Sequence, residues 1–275
     1  MSAGLSTRLR AALSRGVEAM APVADAAAAA RSADRLAQQG VAATLSYFPA
    51  WNGVAQGIIE ACERLSDVKP PPGTCLAIKA APLYFSKDNL RAVARPASAA
   101  GMTVVFDALT HVQAGDTMDL AEWMAGEFAS GGVALPARWR RSVGDALRFR
   151  DVPVRIRLVK GEWADPDGHV ANIEDAYMAL VQSLAGRAAP VGIATHDPAL
   201  AKRALRLLRD AGTPCELEQL RGLPGRQTRR VASAMDAPVR LYWPFGPGWW
   251  PYAAEKLLER PYLPWWWLRD KWGRL

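Results

Sequence analysis

The chain has 275 residues, half of them apolar, which is enough for one large α/β domain or two small ones around a sizeable core and argues against disorder. The formal net charge of +7 suits nucleic acid, an anionic membrane surface or a phosphate-bearing cofactor, but the basic residues are spread, and no recognition helix or base-stacking motif accompanies them. Widely spaced Cys62, Cys75 and Cys215 without a C-x-x-C pair, and His111, His169 and His196 with no two at ligand spacing, argue against disulfides, a zinc site or a histidine-built metal centre and fit a reducing cytosol.

Residues 1–40 read as a helical segment. Arg8, Arg10, Arg15 and Glu18 interrupt any apolar run, so no secretory signal is expected. The alanine run at 26–30, bracketed by Asp25 and Arg31, is too short to span a bilayer and reads as a small-residue helix packing closely on a neighbour. Short β-rich runs then follow at 42–48, 75–80, 103–109, 132–137, 154–161, 191–197, 215–220 and 239–245, and most are separated by one amphipathic helix, as at 88–101, 174–187 and 196–212. The Pro/Gly-rich stretch 69–73 is a loop.

Eight strands alternating with helices at intervals of roughly 20 to 35 residues match a (β/α)8 TIM-like barrel better than an open doubly wound sheet, and no G-x-G-x-x-G follows the first strand. The strands end in polar or aromatic residues: Tyr47, Lys79, Asp107, Arg157 with Lys160, Thr195 with His196, Glu218 with Gln219, and Tyr242. In a barrel of this kind the C-terminal ends of the strands form the mouth where chemistry occurs, so one polar cluster explains them all. Arg155 and Arg157 alone fit equally well the solvated face of an edge strand. The expected organisation is a helical segment 1–40, a barrel 41–260 and a basic tail 261–275 holding Trp265, Trp266, Trp267 and Trp272. That tail reads either as a clamp packed on the barrel or as an element of a membrane interface.

The strand-end motifs, in order, resemble those of the proline dehydrogenase family, flavin-dependent β/α barrels that oxidise proline, over about residues 42–261. RLVKGEWADP (157–166) looks like the family's R-L-V/C-K-G-A-Y, ATHD (194–197) its A-T-H-N, and ELEQLRG (216–222) its E-F-Q-M-L-Y-G. VRLYWPFG with the helix ending ERP (239–261) is similar to V-R-V-Y-x-P-[YF]-G, and AIKA (77–80) and FDAL (106–109) resemble its strand-two and strand-three segments. The resemblance implies an oxidoreductase that holds FAD, oxidises proline or a related cyclic or secondary amine, and passes electrons to a quinone-type acceptor. A cytoplasmic location follows, with a peripheral membrane contact if the Trp-rich tail serves the quinone.

On this resemblance Arg157 hydrogen-bonds the isoalloxazine and stabilises the reduced ring. Lys160, Gly161 and Trp163 meet the phosphate and ribose part of FAD, with Thr195 and His196 further along it. Lys79 and Asp107 form a polar floor in which Asp107 orients Arg157 or Lys79. Tyr242 walls the substrate, and Glu255, Lys256 and Glu259 of the last helix bind it or position its partner. No protein nucleophile is needed.

The departures are chemical. Glu255 and Lys256 stand where the family carries an Arg-Arg pair for the substrate carboxylate, Glu218 replaces a Gln, Trp163 a Tyr, and Pro136 a flavin-binding Gln. Losing that Gln removes a hydrogen bond worth about 0.5–1.5 kcal/mol net. Glu255 and Glu259, one turn apart on a helical face with Tyr252 and Lys256, repel each other unless a cation lies between. These changes leave open an alternative: a barrel that keeps the fold and the flavin but acts as a binding or regulatory protein.

Overall fold

The computed structural model describes residues 25–50, 53–128, 130–168, 170–249, 253 and 265. A helix, α1 (Ala26–Ala37), precedes eight parallel strands: β1 (Ala42–Tyr47), β2 (Cys75–Ile78), β3 (Thr103–Phe106), β4 (Gly132–Pro136), β5 (Arg155–Val159), β6 (Val191–Ala194), β7 (Cys215–Leu220) and β8 (Val239–Phe245). Helices α2 (Ala55–Asp67), α3 (Lys87–Ala99), α4 (Ala114–Phe128), α5 (Ser142–Arg148), α6 (Ile173–Ser183), α7 (Pro198–Asp210) and α8 (Arg226–Ala234) fill the seven intervals. Each strand pairs with the next, and β1 pairs with β8 from Ala42 opposite Arg240 to Tyr47 opposite Phe245, which closes the cylinder. The expected (β/α)8 barrel is the observed fold, and Arg155 and Arg157 lie on no edge.

The pleat sends alternate residues outward and inward. Outward positions such as Leu45, Leu76, Ile78, Phe106, Leu135, Ile156, Leu158, Ile193 and Leu217 are apolar and buried under the helices, each contributing about 1.5–3 kcal/mol of burial. α7 offers Leu200, Ala201, Ala204, Leu205 and Leu208 to this layer. Its start is fixed by Asp197, whose carboxylate accepts the amides of Ala199 and Leu200, with Pro198 at the first helical position. Asn172 caps α6 in the same way, and Asp25 caps α1. The alanine run packs as expected: Ala29, Ala30 and Ala33 are buried where α1 meets β1, β8 and α2.

Most strands are shorter than the β-rich runs suggested. β2, β3, β5 and β6 stop at Ile78, Phe106, Val159 and Ala194, so Lys79, Asp107, Lys160, Gly161, Thr195 and His196 stand just past the strand ends, in the loops that form the mouth. The amides of Asp107 and Thr195 still donate to the carbonyls of Ile78 (2.8 Å) and Glu218 (3.2 Å) on the neighbouring strands, which holds both residues at the rim of the barrel.

Candidate active site

The interior of the barrel is built from small residues and charge. Thr44, Ser46, Cys75, Ala77, Gly132, Ala134 and Gly192 leave room, and the space is taken by Arg155, Arg157, Glu216, Glu218 and Arg240 from β5, β7 and β8. The register sets Glu218 beside Arg240 and Gly192 between Arg157 and Glu216. A Cβ on Gly192 would meet Arg155 Nη2 at 2.5 Å and Glu218 Oε2 at 3.2 Å, so the missing side chain is what admits the ion pairs.

These groups form a ladder along the axis. At the N-terminal end Arg240 donates to the carbonyls of Ala43 (2.7 Å) and Gly73 (3.0 Å) and to Glu216. Glu216 also accepts from Arg155, which donates on to Glu218 at 3.1 Å. Glu218 lies 3.1 Å from Arg157 Nε, and Arg157 Nη1 donates to Asp107 at 2.9 Å. At the mouth Asp107 further accepts from the Tyr242 hydroxyl (2.6 Å) and from Ser46 (3.3 Å), with Lys79 Nζ 3.5 Å away. The Arg157 guanidinium lies 4.4 Å from the Tyr242 ring centroid, and Lys79 Nζ 3.8 Å from that of Phe48.

The electrostatics follow from burial and partners. Burial opposes ionisation of Glu218, but the guanidiniums of Arg157, Arg155 and Arg240 outweigh it and hold the carboxyl below its ordinary value. Burial likewise opposes charge on Arg157, and Glu218 and Asp107 more than compensate, so it stays cationic. For Lys79 burial wins over the attraction of Asp107, with Arg157 adding repulsion and Glu162 attraction, and its ammonium is held less firmly than usual. Burial and the Asp107 charge push the Tyr242 hydroxyl well up, so it remains a donor. Four cations face three carboxylates in the ladder, and Lys79 Nζ is buried without a hydrogen-bond partner. Within the ladder itself one positive charge is left over.

Of the residues expected at the site, Lys79, Asp107, Arg157 and Tyr242 meet in this one network, and Asp107 touches both cations it was expected to orient. Lys160, Gly161 and Trp163 lie in the loop after β5, which is laced to the loop after β4. Arg138 N–H donates to the Lys160 carbonyl (3.1 Å), Arg138 Nε to that of Gly161 (3.2 Å) and Trp139 Nε1 to that of Trp163 (3.0 Å). Gly161 has φ +90°, and a Cβ there would lie 2.8 Å from the Pro136 Cβ, so only glycine fits this turn. The Trp163 ring is about half exposed. Thr195 accepts the Asp197 amide, and both His196 ring nitrogens meet backbone: Nδ1 the Pro224 carbonyl (2.6 Å), Nε2 the Leu220 amide (3.1 Å). That pairing sets a neutral imidazole with its proton on Nδ1. Tyr252, Glu255, Lys256 and Glu259, with the N-terminal residues 1–24 and nearly all of the tail, lie outside the described residues.

Sequence reasoning left Ser46, Phe48, Arg155, Glu216 and Arg240 out of the site and named Glu218 as a polar strand end and a departure, without a role. The available signal was the i, i+2 repetition of charge in RIR and ELE, since like charges two apart on a strand share one face.

No family model matches the chain. Over 253 residues it is 24% identical to proline dehydrogenase 1 of Bacillus subtilis subsp. natto, covering 85% of this chain and 83% of that protein. Over 181 residues it is 25% identical to proline dehydrogenase of Deinococcus radiodurans, covering 63% and 58%. Proline utilization A from Bdellovibrio bacteriovorus superposes with a TM-score of 0.75 at 18% identity over 90% of this chain, and that from Corynebacterium freiburgense with 0.71 at 20% identity over 94%. This chain spans about a third of those two longer proteins, 32% and 31%. The resemblance read from the strand-end motifs is thereby borne out, and the likeness in structure carries the fold.

Proposed function

We propose that this chain is a divergent proline dehydrogenase-type oxidoreductase that binds FAD at the barrel mouth and oxidises proline or a related cyclic or secondary amine. The observation that carries the reading is the Arg157 guanidinium, fixed by Asp107 and Glu218 inside the barrel beside the buried ammonium of Lys79, which pairs with Asp107 at 3.5 Å but makes no full hydrogen bond. A fixed cation and a donor with hydrogen-bonding capacity to spare, in a ladder with one more cation than carboxylates, suit a flavin ring and an amino-acid carboxylate. Bound flavin would supply the hydride acceptor.

The chain's own residues would bind and orient. Arg157, held by two carboxylates, keeps its charge at every working pH and favours a ligand that gains negative charge. Lys79 would take the substrate carboxylate, a role that gains weight because Glu255 and Lys256 replace the family's arginine pair. The Tyr242 ring would wall the substrate. Lys160, Gly161 and Trp163 would meet the phosphate and ribose part of FAD. With both ring nitrogens bonded to backbone, His196 would act by tying the loops after β6 and β7 together, with Thr195 shaping the same turn. Electrons would leave to a quinone-type acceptor, the protein being cytoplasmic with a peripheral membrane contact through its tail. No helix among the described residues is long and apolar enough to cross a membrane.

A binding or regulatory role is the second reading. It is favoured by Pro136, which packs its ring toward Gly161 where the family offers a polar flavin contact. The test is the visible spectrum of the purified protein during anaerobic addition of L-proline and proline analogues. Bleaching of a flavin band supports catalysis. A yellow protein that no amine reduces supports the second reading, and a protein that neither carries nor takes up FAD overturns both.

A further inference from the structure

We propose that His111, Asp165 and Asp167 form a binding site for one divalent first-row transition ion of the Zn2+/Co2+ class, which fastens the loop after β3 to the loop after β5. His111 opens a 3-10 turn, His111–Gln113, and its Nε2 lies 3.7 Å from Asp165 Oδ1 and 4.0 Å from Asp167 Oδ2. One ligand atom from each residue falls within 4.8 Å of the others. That nitrogen is buried and has no hydrogen-bond partner, and edge-on packing against Trp139, centroids 5.5 Å apart at 83°, fixes the ring. A buried imidazole nitrogen aimed between two carboxylates is an unmet donor or an unmet ligand.

Asp165 is prepared for either. Its side chain is almost fully buried, and it accepts the amides of Arg140 (2.7 Å) and Asp167 (2.9 Å). The Arg140 amide bond outweighs burial, and with the Asp167 amide and the nearby His111 and Arg140 charges it holds the carboxyl below its ordinary range. Asp167 is exposed and free to close by the few tenths of an ångström that metal-ligand bonds of about 2.0–2.2 Å require. One imidazole and two carboxylates suit a borderline ion rather than Ca2+ or Mg2+, which prefer all-oxygen shells. The Arg140 guanidinium, which approaches Gly168, offsets one of the two negative charges. The other is left for the ion.

The loop after β5 carries Lys160, Gly161 and Trp163, so an ion here would stiffen that loop. The inference stands whether or not the barrel binds flavin. Its test is titration of chelator-treated protein with CoCl2, followed by the visible band of tetrahedral or five-coordinate cobalt, and with ZnCl2 by calorimetry, fold being checked by circular dichroism. One ion should bind per chain. Asp167→Asn, at an exposed position, and His111→Gln should each weaken binding by more than the roughly 10–100-fold that loss of an outer-shell partner costs. His169→Gln should leave it unchanged. Absence of binding at about millimolar metal overturns the proposal, as does binding that survives both ligand substitutions or that depends on His169. So does a His111→Gln variant that lowers stability while metal affinity is unchanged, which would mark His111 as a packing partner of the two loops only.

Discussion

Glu218→Gln removes one charge from the middle of the ladder without changing its shape. The glutamate lies 3.1 Å from both Arg155 Nη2 and Arg157 Nε and is fully buried, so the amide leaves two desolvated guanidiniums short of a counter-charge. Breaking a buried pair from one side costs about 3–5 kcal/mol, and the retained amide oxygen places this change near about 3. At roughly 2–4 °C per kcal/mol for a chain of this size, the melting temperature should fall by about 6–12 °C. The loss should depend on pH in a defined sense. The folded carboxyl sits below its ordinary value of 4.5, so its contribution is complete above that value and disappears as pH falls through the lower folded one. Thermal melts followed by circular dichroism should therefore show a wide gap between wild type and variant near pH 7 that narrows below about pH 4.5. Adding Arg155→Met should restore part of the loss, because it removes a charge the first change stranded. A variant melting within about 2 °C of wild type near pH 7, or a gap that persists unchanged into acid, would refute the ladder as a stabilising unit.

Lys79→Met brings the ladder to three cations and three carboxylates, so the ligand-free protein should gain about 0.5–2 kcal/mol in urea unfolding while reduction by proline is lost. A drop in stability would mean that the pairing with Asp107 and Phe48 outweighs burial. Gly192→Ala forces a Cβ to 2.5 Å from Arg155 Nη2 and should cost about 1–3 kcal/mol by the same measurement. Glu255→Arg combined with Lys256→Arg should lower the KM for proline in an anaerobic flavin-reduction assay, and no change would remove those positions from the substrate site.

The barrel was legible in the sequence because its signals are local. Leu45, Ile78, Phe106 and Ile193 repeat outward while turn residues and amphipathic helices separate them, and the caps Asp25, Asn172 and Asp197 stand directly before their helices. The mouth was legible in part, because Lys79, Asp107, Arg157 and Tyr242 each follow a strand or lie within one in a recognisable motif. What they touch was not. That Asp107 of the loop after β3 accepts from β5 and β8 at once depends on closure of the cylinder, which no short window reveals. The salt bridges of Arg155 and Arg240 with Glu216 are equally non-local, and in isolation each charge reads as a solvated face. The strand runs extended beyond β2, β3 and β6 for a related reason: Lys79, Asp107 and Thr195 continue the β-rich composition, and the amides of Asp107 and Thr195 still reach the neighbouring strands before the chain turns away.

Since each carboxylate of the ladder answers to cations on both sides, no rung is independent of the next. Arg240, anchored on the carbonyls of Ala43 and Gly73 at the far end of the cylinder, is connected through Glu216, Arg155, Glu218 and Arg157 to Asp107 at the mouth. Among relatives of this chain, replacements at these positions should accordingly arise in matched sets that conserve total charge, and laboratory evolution of the residues at the mouth should select compensating changes near Gly73, at the opposite end of the cylinder.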